Sequence, residues 1–133
     1  MRVVLVEDHV PTRILLQSII NQETDLTVIA DVGSAEEAFP WVRKDHPDVI
    51  VMDLLLPGMH GIEATRQILA EHPHIRILML SNHAGKTVIS EARKAGSMGY
   101  VYKNLAAVEL IPAIRAVAKG EQYIATGSKP RTD

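Results

Sequence analysis

Val49-Ile50-Val51-Met52-Asp53-Leu54-Leu55-Leu56-Pro57-Gly58-Met59-His60-Gly61 is the stretch on which the fold turns. Four apolar residues in a row, closed by an acid and followed by a Pro-Gly turn, have the pattern of a parallel strand covered on both faces. Outward from it the pattern repeats. Val3 to Val6 and Ile77 to Leu80 are further continuous apolar runs and read as central strands. Leu26 to Ala30 contains Thr27 and is flanked by Asp25 and Asp31, while Tyr100-Val101-Tyr102 is short and aromatic. Both suit positions nearer the sheet edges, with less complete burial.

Between these runs the apolar residues recur at spacings of three and four, which is the period of a helix. The sets are Leu15, Leu16, Ile19 and Ile20; Ala35, Ala38, Phe39 and Val42; Ile62, Thr65, Ile68 and Leu69; Val88, Ala92 and Ala95; and Leu110, Ile114, Val117 and Ala118. Five helices alternating with five strands, joined by right-handed crossovers, predict an α/β fold with a doubly wound parallel sheet. Ser34 with Glu37 three residues on predicts a capping box, and Pro11 suits the first turn of the first helix. Gly96 and Gly120 are expected helix stops. Pro40 and Pro112 fall inside the second and fifth patterns, so kinks or late helix starts are expected there.

Bulk properties narrow the function classes. The 133 residues, 47% hydrophobic and 23% charged, match one folded domain with a core of its own. Without cysteine there is no disulfide framework, thiol nucleophile or cysteine-bound zinc, and a reducing, cytoplasmic setting is expected. The first apolar run is too short for a signal peptide, and no run approaches the roughly 20 residues of a membrane span. A net charge of -2, with 14 Lys and Arg scattered along the chain, argues against nucleic-acid contact by this domain. The six histidines include no helical pair four apart, so His46, His72 and His74 read as solvated residues and not as metal ligands.

Doubly wound sheets bind ligands at the carboxyl ends of their strands. Glu7 and Asp8 follow the first strand, Asp53 ends the third, Ser81 the fourth, and Lys103 follows the fifth. Any one of these acids alone reads as a solvated strand end; together they would repel unless a cation sat among them. An oxygen-rich, nitrogen-poor cluster suits Mg²⁺, or Mn²⁺ in its place, with a position left for a phosphate oxygen.

The segment from Val49 to Gly61, with Glu7-Asp8, Ser81 and Lys103 at their intervals, resembles the receiver domain of two-component response regulators over nearly the whole chain. The Glu7-Asp8-His9 run, Gly99-Tyr100-Val101-Tyr102-Lys103 and Ala118-Lys119-Gly120-Glu121 resemble its NarL/FixJ (LuxR-type) subgroup. The resemblance implies a flavodoxin-like five-stranded sheet in the order 2-1-3-4-5. It also implies a receiver spanning 1–122, with 123–133 as a tail or the start of a linker to an output domain. Asp53 is then the phosphoacceptor, charged by a sensor histidine kinase or a phosphotransfer protein. Glu7, Asp8, Asp53 and the backbone carbonyl of Leu55 hold the metal, while Ser81 and Lys103 contact the phosphoryl group. Ser81 moves inward on phosphorylation, and Tyr100 fills the space it leaves. Homodimerisation on phosphorylation and transcription control through a DNA-binding output domain are further implications.

Some residues depart from that family's pattern. Asn104 replaces the proline that often follows the lysine, and Asn82 stands where Ala or Gly is common. Leu55 and His83 occupy the positions that tune self-dephosphorylation in the family; Leu55 cannot orient a water, whereas His83 can. A competing reading is a Mg²⁺-dependent aspartyl-phosphate phosphohydrolase, but such enzymes carry a second Asp two residues past the nucleophile, where this chain has Leu55. A flavodoxin-like small-molecule binder would need a Gly-rich phosphate loop after the first strand, and Glu7-Asp8 is the opposite of one.

Overall fold

The computed structural model describes residues 1–82 and 85–124. Strands β1 (Arg2–Val6), β2 (Thr27–Val32), β3 (Val49–Asp53), β4 (Arg76–Ser81), β5 (Gly99–Tyr102) and β6 (Tyr123–Ile124) alternate with helices α1 (Val10–Asn21), α2 (Ala35–Asp45), α3 (Gly61–Glu71), α4 (Lys86–Ala95) and α5 (Ala106–Ala118). All strand pairs are parallel and the sheet order is β2-β1-β3-β4-β5-β6. The doubly wound fold stands as expected, with five α-helices among the described residues.

Among the described residues the sheet has six strands, however, and not five. The two-residue β6 pairs with Gly99 and Tyr100, so sheet pairing runs two residues past the boundary expected at 122. This correction explains a second. Because β6 takes the edge, β5 is an interior strand, and Tyr100 and Val101 are sealed in the core where partial exposure was expected. Edge character remains at β2, whose residues are mostly half-buried or exposed. A two-residue strand carries no periodicity, which is why the pattern of apolar runs does not reveal it.

Side chains alternate across each strand, so the sheet has two apolar faces. Val4, Val6, Ile50, Met52, Ile77, Met79 and Tyr100 face α2, α3 and α4. Val3, Leu5, Val49, Val51, Leu78, Leu80 and Val101 face α1 and α5. Ser34 caps α2 by accepting from the Glu37 backbone N–H at 3.2 Å, and the Glu37 carboxylate returns to the Gly33 N–H at 3.2 Å, one residue earlier than the expected box. Pro11 lies in the first turn of α1, Gly96 caps α4, and Gly120 follows the last turn of α5.

Neither inner proline delays its helix: α2 starts at Ala35 and α5 at Ala106, and both run on through Pro40 and Pro112. Both prolines are exposed, so water can satisfy the carbonyl each leaves without a donor. The missing hydrogen bond should therefore be recoverable. Pro112→Ala is expected to raise stability by about 2 kcal/mol, from about 3 kcal/mol of helix propensity less up to about 1 kcal/mol of added unfolded-chain entropy. Urea denaturation measures it, and an unchanged midpoint would count against this account.

Candidate functional site

Parallel register gathers the site. Val6 pairs with Met52, Asp53 with Leu80, and Ser81 with Tyr102. One step beyond these pairs, Glu7 and Asp8 flank Asp53 on one side, and Ser81 and Lys103 lie on the other. After β5 the chain winds into a single 3₁₀ turn, Lys103–Leu105, which is how Asn104 is accommodated.

Lys103 Nζ lies 2.8 Å from Asp53 Oδ2, a hydrogen bond, and 2.8 Å from Glu7 Oε1. Glu7 is fully buried, Asp53 nearly so, and the lysine side chain is 18% exposed. Burial alone would lower the Lys103 pKa, but the hydrogen bond to Asp53 and the negative charges of Asp53 and Glu7 outweigh it and raise the group above its ordinary value. The remaining oxygens are held by backbone: His9 N–H donates to Glu7 Oε2 at 3.0 Å, and Leu55 N–H to Asp53 Oδ1 at 3.3 Å.

Glu7, Asp8 and Asp53 each offer a carboxylate oxygen, and these lie within 4.8 Å of one another. The cluster fits a hard divalent cation on two counts. Mg²⁺–oxygen bonds of about 2.0–2.1 Å hold ligand oxygens up to roughly 4.2 Å apart, so small side-chain adjustments suffice. In addition, Glu7 Oε1 is buried without a hydrogen-bond partner, its ion pair with Lys103 lacking the angle of a hydrogen bond. A buried lone pair without a donor is an available ligand position.

Ser81 is buried, and its hydroxyl acts on the Tyr100 phenol. Burial raises the Tyr100 phenol pKa, and Ser81 opposes that rise. Tyr100, expected to fill the space Ser81 leaves, is itself buried, 1% exposed. Leu55 projects into solvent, 52% exposed, and His83 lies outside the described residues, as do residues 125–133 of the tail.

Two bracing residues have no local signal in the sequence. Arg13 on α1 donates to the Glu7 carbonyl at 3.0 Å and pairs with Asp31 at 3.4 Å. Glu36 on α2 accepts from the Met59 N–H at 3.2 Å, holding the loop after Asp53 where Gly58 adopts φ +73°. Arg13 reaches Glu7 across the α1 turn and Asp31 on β2, and Glu36 reaches the loop 23 residues on, so only the folded chain brings them to their partners.

Acids, a lysine and a hydroxyl thus gather at the carboxyl edge of a doubly wound sheet, and the three acids could hold a metal ion. Residues 3–115 match the response regulator receiver domain, and the chain belongs to that family. Among its relatives, the transcriptional regulatory protein DegU of Brevibacillus brevis is 36% identical, the match covering 92% of this chain and 52% of DegU. The response regulator UvrY of Escherichia coli is 35% identical over 93% of this chain and 57% of UvrY. The chain thus spans about half the length of these curated relatives. The crystal structure of a LuxR-family two-component response regulator from Aurantimonas sp. SI85-9A1 superposes with a TM-score of 0.88 at 38% identity, covering 92% of this chain and 87% of that one. Among the described residues no helix is long and apolar enough to cross a membrane.

Proposed function

We propose that this domain is a phosphorylation switch in which Asp53 takes a phosphoryl group from a sensor histidine kinase or a phosphotransfer protein. A carboxylate oxygen of Asp53 attacks phosphorus, the bond from phosphorus to the donor imidazole breaks, and an acyl phosphate forms. The observation that carries this reading is the Lys103 amine shared at 2.8 Å between Glu7 and Asp53. It leaves a cation poised where phosphoryl charge would build up.

Glu7, Asp8, Asp53 and the Leu55 carbonyl are the residues to hold Mg²⁺ or Mn²⁺, which when bound supplies charge neutralisation for the phosphoryl oxygens. Lys103 then exchanges part of its contact with Asp53 for the phosphoryl group. Ser81 donates to a phosphoryl oxygen and gives up its interaction with Tyr100. The phosphate therefore interacts differently with two arrangements of β4 and β5, which is what a population shift requires. Turnover on outside substrates is not part of this reading, because Leu55 provides no second acid beside Asp53.

The relatives' names point to transcription control, so in a longer protein the switch would govern a DNA-binding output domain, with phosphorylation favouring a homodimer. Such a role places the domain in the cytoplasm, where kinases draw on ATP. The test is incubation with Mg²⁺ and acetyl phosphate or phosphoramidate, read by intact mass. One added phosphoryl group is expected for the wild type, and none for Asp53→Asn or with EDTA present. A phosphoryl group retained in Asp53→Asn would sink the assignment.

A further inference from the structure

Helices α2 and α3 end on the same short sequence, an acid followed by His-Pro: Asp45-His46-Pro47 and Glu71-His72-Pro73, the second running on to His74. Each proline ends its helix and leaves the histidine as C-cap. Since α2 and α3 pack together on one sheet face, the caps meet at the end of the sheet remote from Asp53. The His46 and His72 ring centres are 5.5 Å apart at 68°, and those of His72 and His74 are 6.5 Å apart at 81°.

His72 departs from the solvated role expected of it. Its Nε2 is sealed from solvent and has no hydrogen-bond partner, with Glu71 Oε1 beyond hydrogen-bond reach at 3.9 Å. A buried ring nitrogen left without a partner is destabilising and favours one. Two helix C-termini also direct their negative dipole ends at this spot, which favours a cation. Arg43 is the positive group already present, 3.7 Å from Glu71 and stacked over Phe39.

We propose that His46, His72 and His74, with Glu71, form a binding site for a borderline transition-metal cation such as Zn²⁺. Imidazole donors select Zn²⁺, Ni²⁺ or Cu²⁺ over Mg²⁺, so the site is chemically distinct from the acid cluster. With a metal–nitrogen bond of about 2.0–2.1 Å, the ring centre sits roughly 3.2 Å from the metal, and two tetrahedrally placed imidazoles have centres about 5.2 Å apart. The His46–His72 spacing of 5.5 Å is close to that value, and the rings and Glu71 must turn to bring three donor atoms within the 4.8 Å seen in the acid cluster. His74, on an exposed turn, must approach by about 1 Å to join them, and Glu71, 61% exposed, is free to swing from Arg43. Bound metal would clamp the ends of α2 and α3.

The test is calorimetric titration of Zn²⁺ into the full chain with Mg²⁺ in saturating excess. One Zn²⁺ per chain is expected, with affinity reduced tenfold or more in His46→Asn and His72→Gln and unaltered in Asp8→Asn. Asparagine at 46 tolerates the left-handed backbone found there (φ 45°). If His72→Gln fails to fold by circular dichroism, His46→Asn and the exposed His74→Asn decide. No zinc binding, equal binding across the histidine variants, or loss of binding in Asp8→Asn overturns the proposal.

Discussion

Lys103→Met is expected to unfold more easily than the wild type by about 2–3 kcal/mol in EDTA, and to recover most of that loss in millimolar Mg²⁺. The reason is charge accounting in a buried place. Glu7 is fully buried and Asp53 nearly so, and Lys103 is the cation that touches both. Removing one partner of a fully buried ion pair costs about 3–5 kcal/mol, which the 18% exposure of this lysine trims. A divalent cation among the same carboxylates replaces the lost charge, hence the rescue. The lysine's raised pKa sets the pH window. A base whose folded-state pKa lies above its ordinary value of 10.5 contributes fully below that value and loses its contribution as pH rises through the folded one. The gap between variant and wild type should thus persist through neutral pH and close only in strong alkali. Urea midpoints with and without Mg²⁺ check this; identical midpoints in EDTA would show that the amine is not neutralising the pair.

The site was legible in the sequence because parallel strands deliver their last residues to one edge. Glu7, Asp8, Asp53, Ser81 and Lys103 each end or follow an apolar run, so counting along five runs places them together without any coordinates. Arg13 and Glu36 are not visible in this way, because their partners are fixed by helix rotation and loop shape and no sequence period encodes either. Strand β6 escaped because two residues carry no pattern, and its absence from the reading put β5 wrongly at an edge. The interior position of Tyr100 follows from that error. Pro40 and Pro112 were read by their intrinsic cost, whereas tertiary packing of the opposite helix face decides whether that cost is tolerated. The histidines show a limit of a different kind: a search for helical spacing finds side chains on one helix, and it is blind to two helix ends meeting in space.

Gly61→Ala is the second large effect, because it lies where α3 comes closest to the end of β3. A Cβ added at Gly61 would stand 2.6 Å from the Asp53 carbonyl oxygen and 3.0 Å from both Cα and O of Leu54. All three neighbours are backbone, so no rotamer change relieves the clash. Moreover, the Gly61 N–H donates to the Leu54 carbonyl at 2.9 Å, which ties the start of α3 to this segment. Alanine gains about 1 kcal/mol of helix propensity over glycine. Overpacking against rigid backbone costs about 1–3 kcal/mol and occasionally more, and the expected net result is a loss of about 2 kcal/mol. Relief must come from moving either α3 or the peptide after Asp53. The second movement displaces the Leu55 N–H that holds Asp53 Oδ1, so phosphorylation by acetyl phosphate should slow tenfold or more even where the variant is folded. Gly85→Ser provides the control, because a Cβ there meets nothing within 4 Å and serine is a good residue for the N-cap it occupies; its stability should be unchanged or raised. Should Gly61→Ala match the wild type in both urea midpoint and phosphorylation rate, α3 slides freely on the Asp53 loop, and the close approach of helix to strand end has no part in positioning the carboxylate.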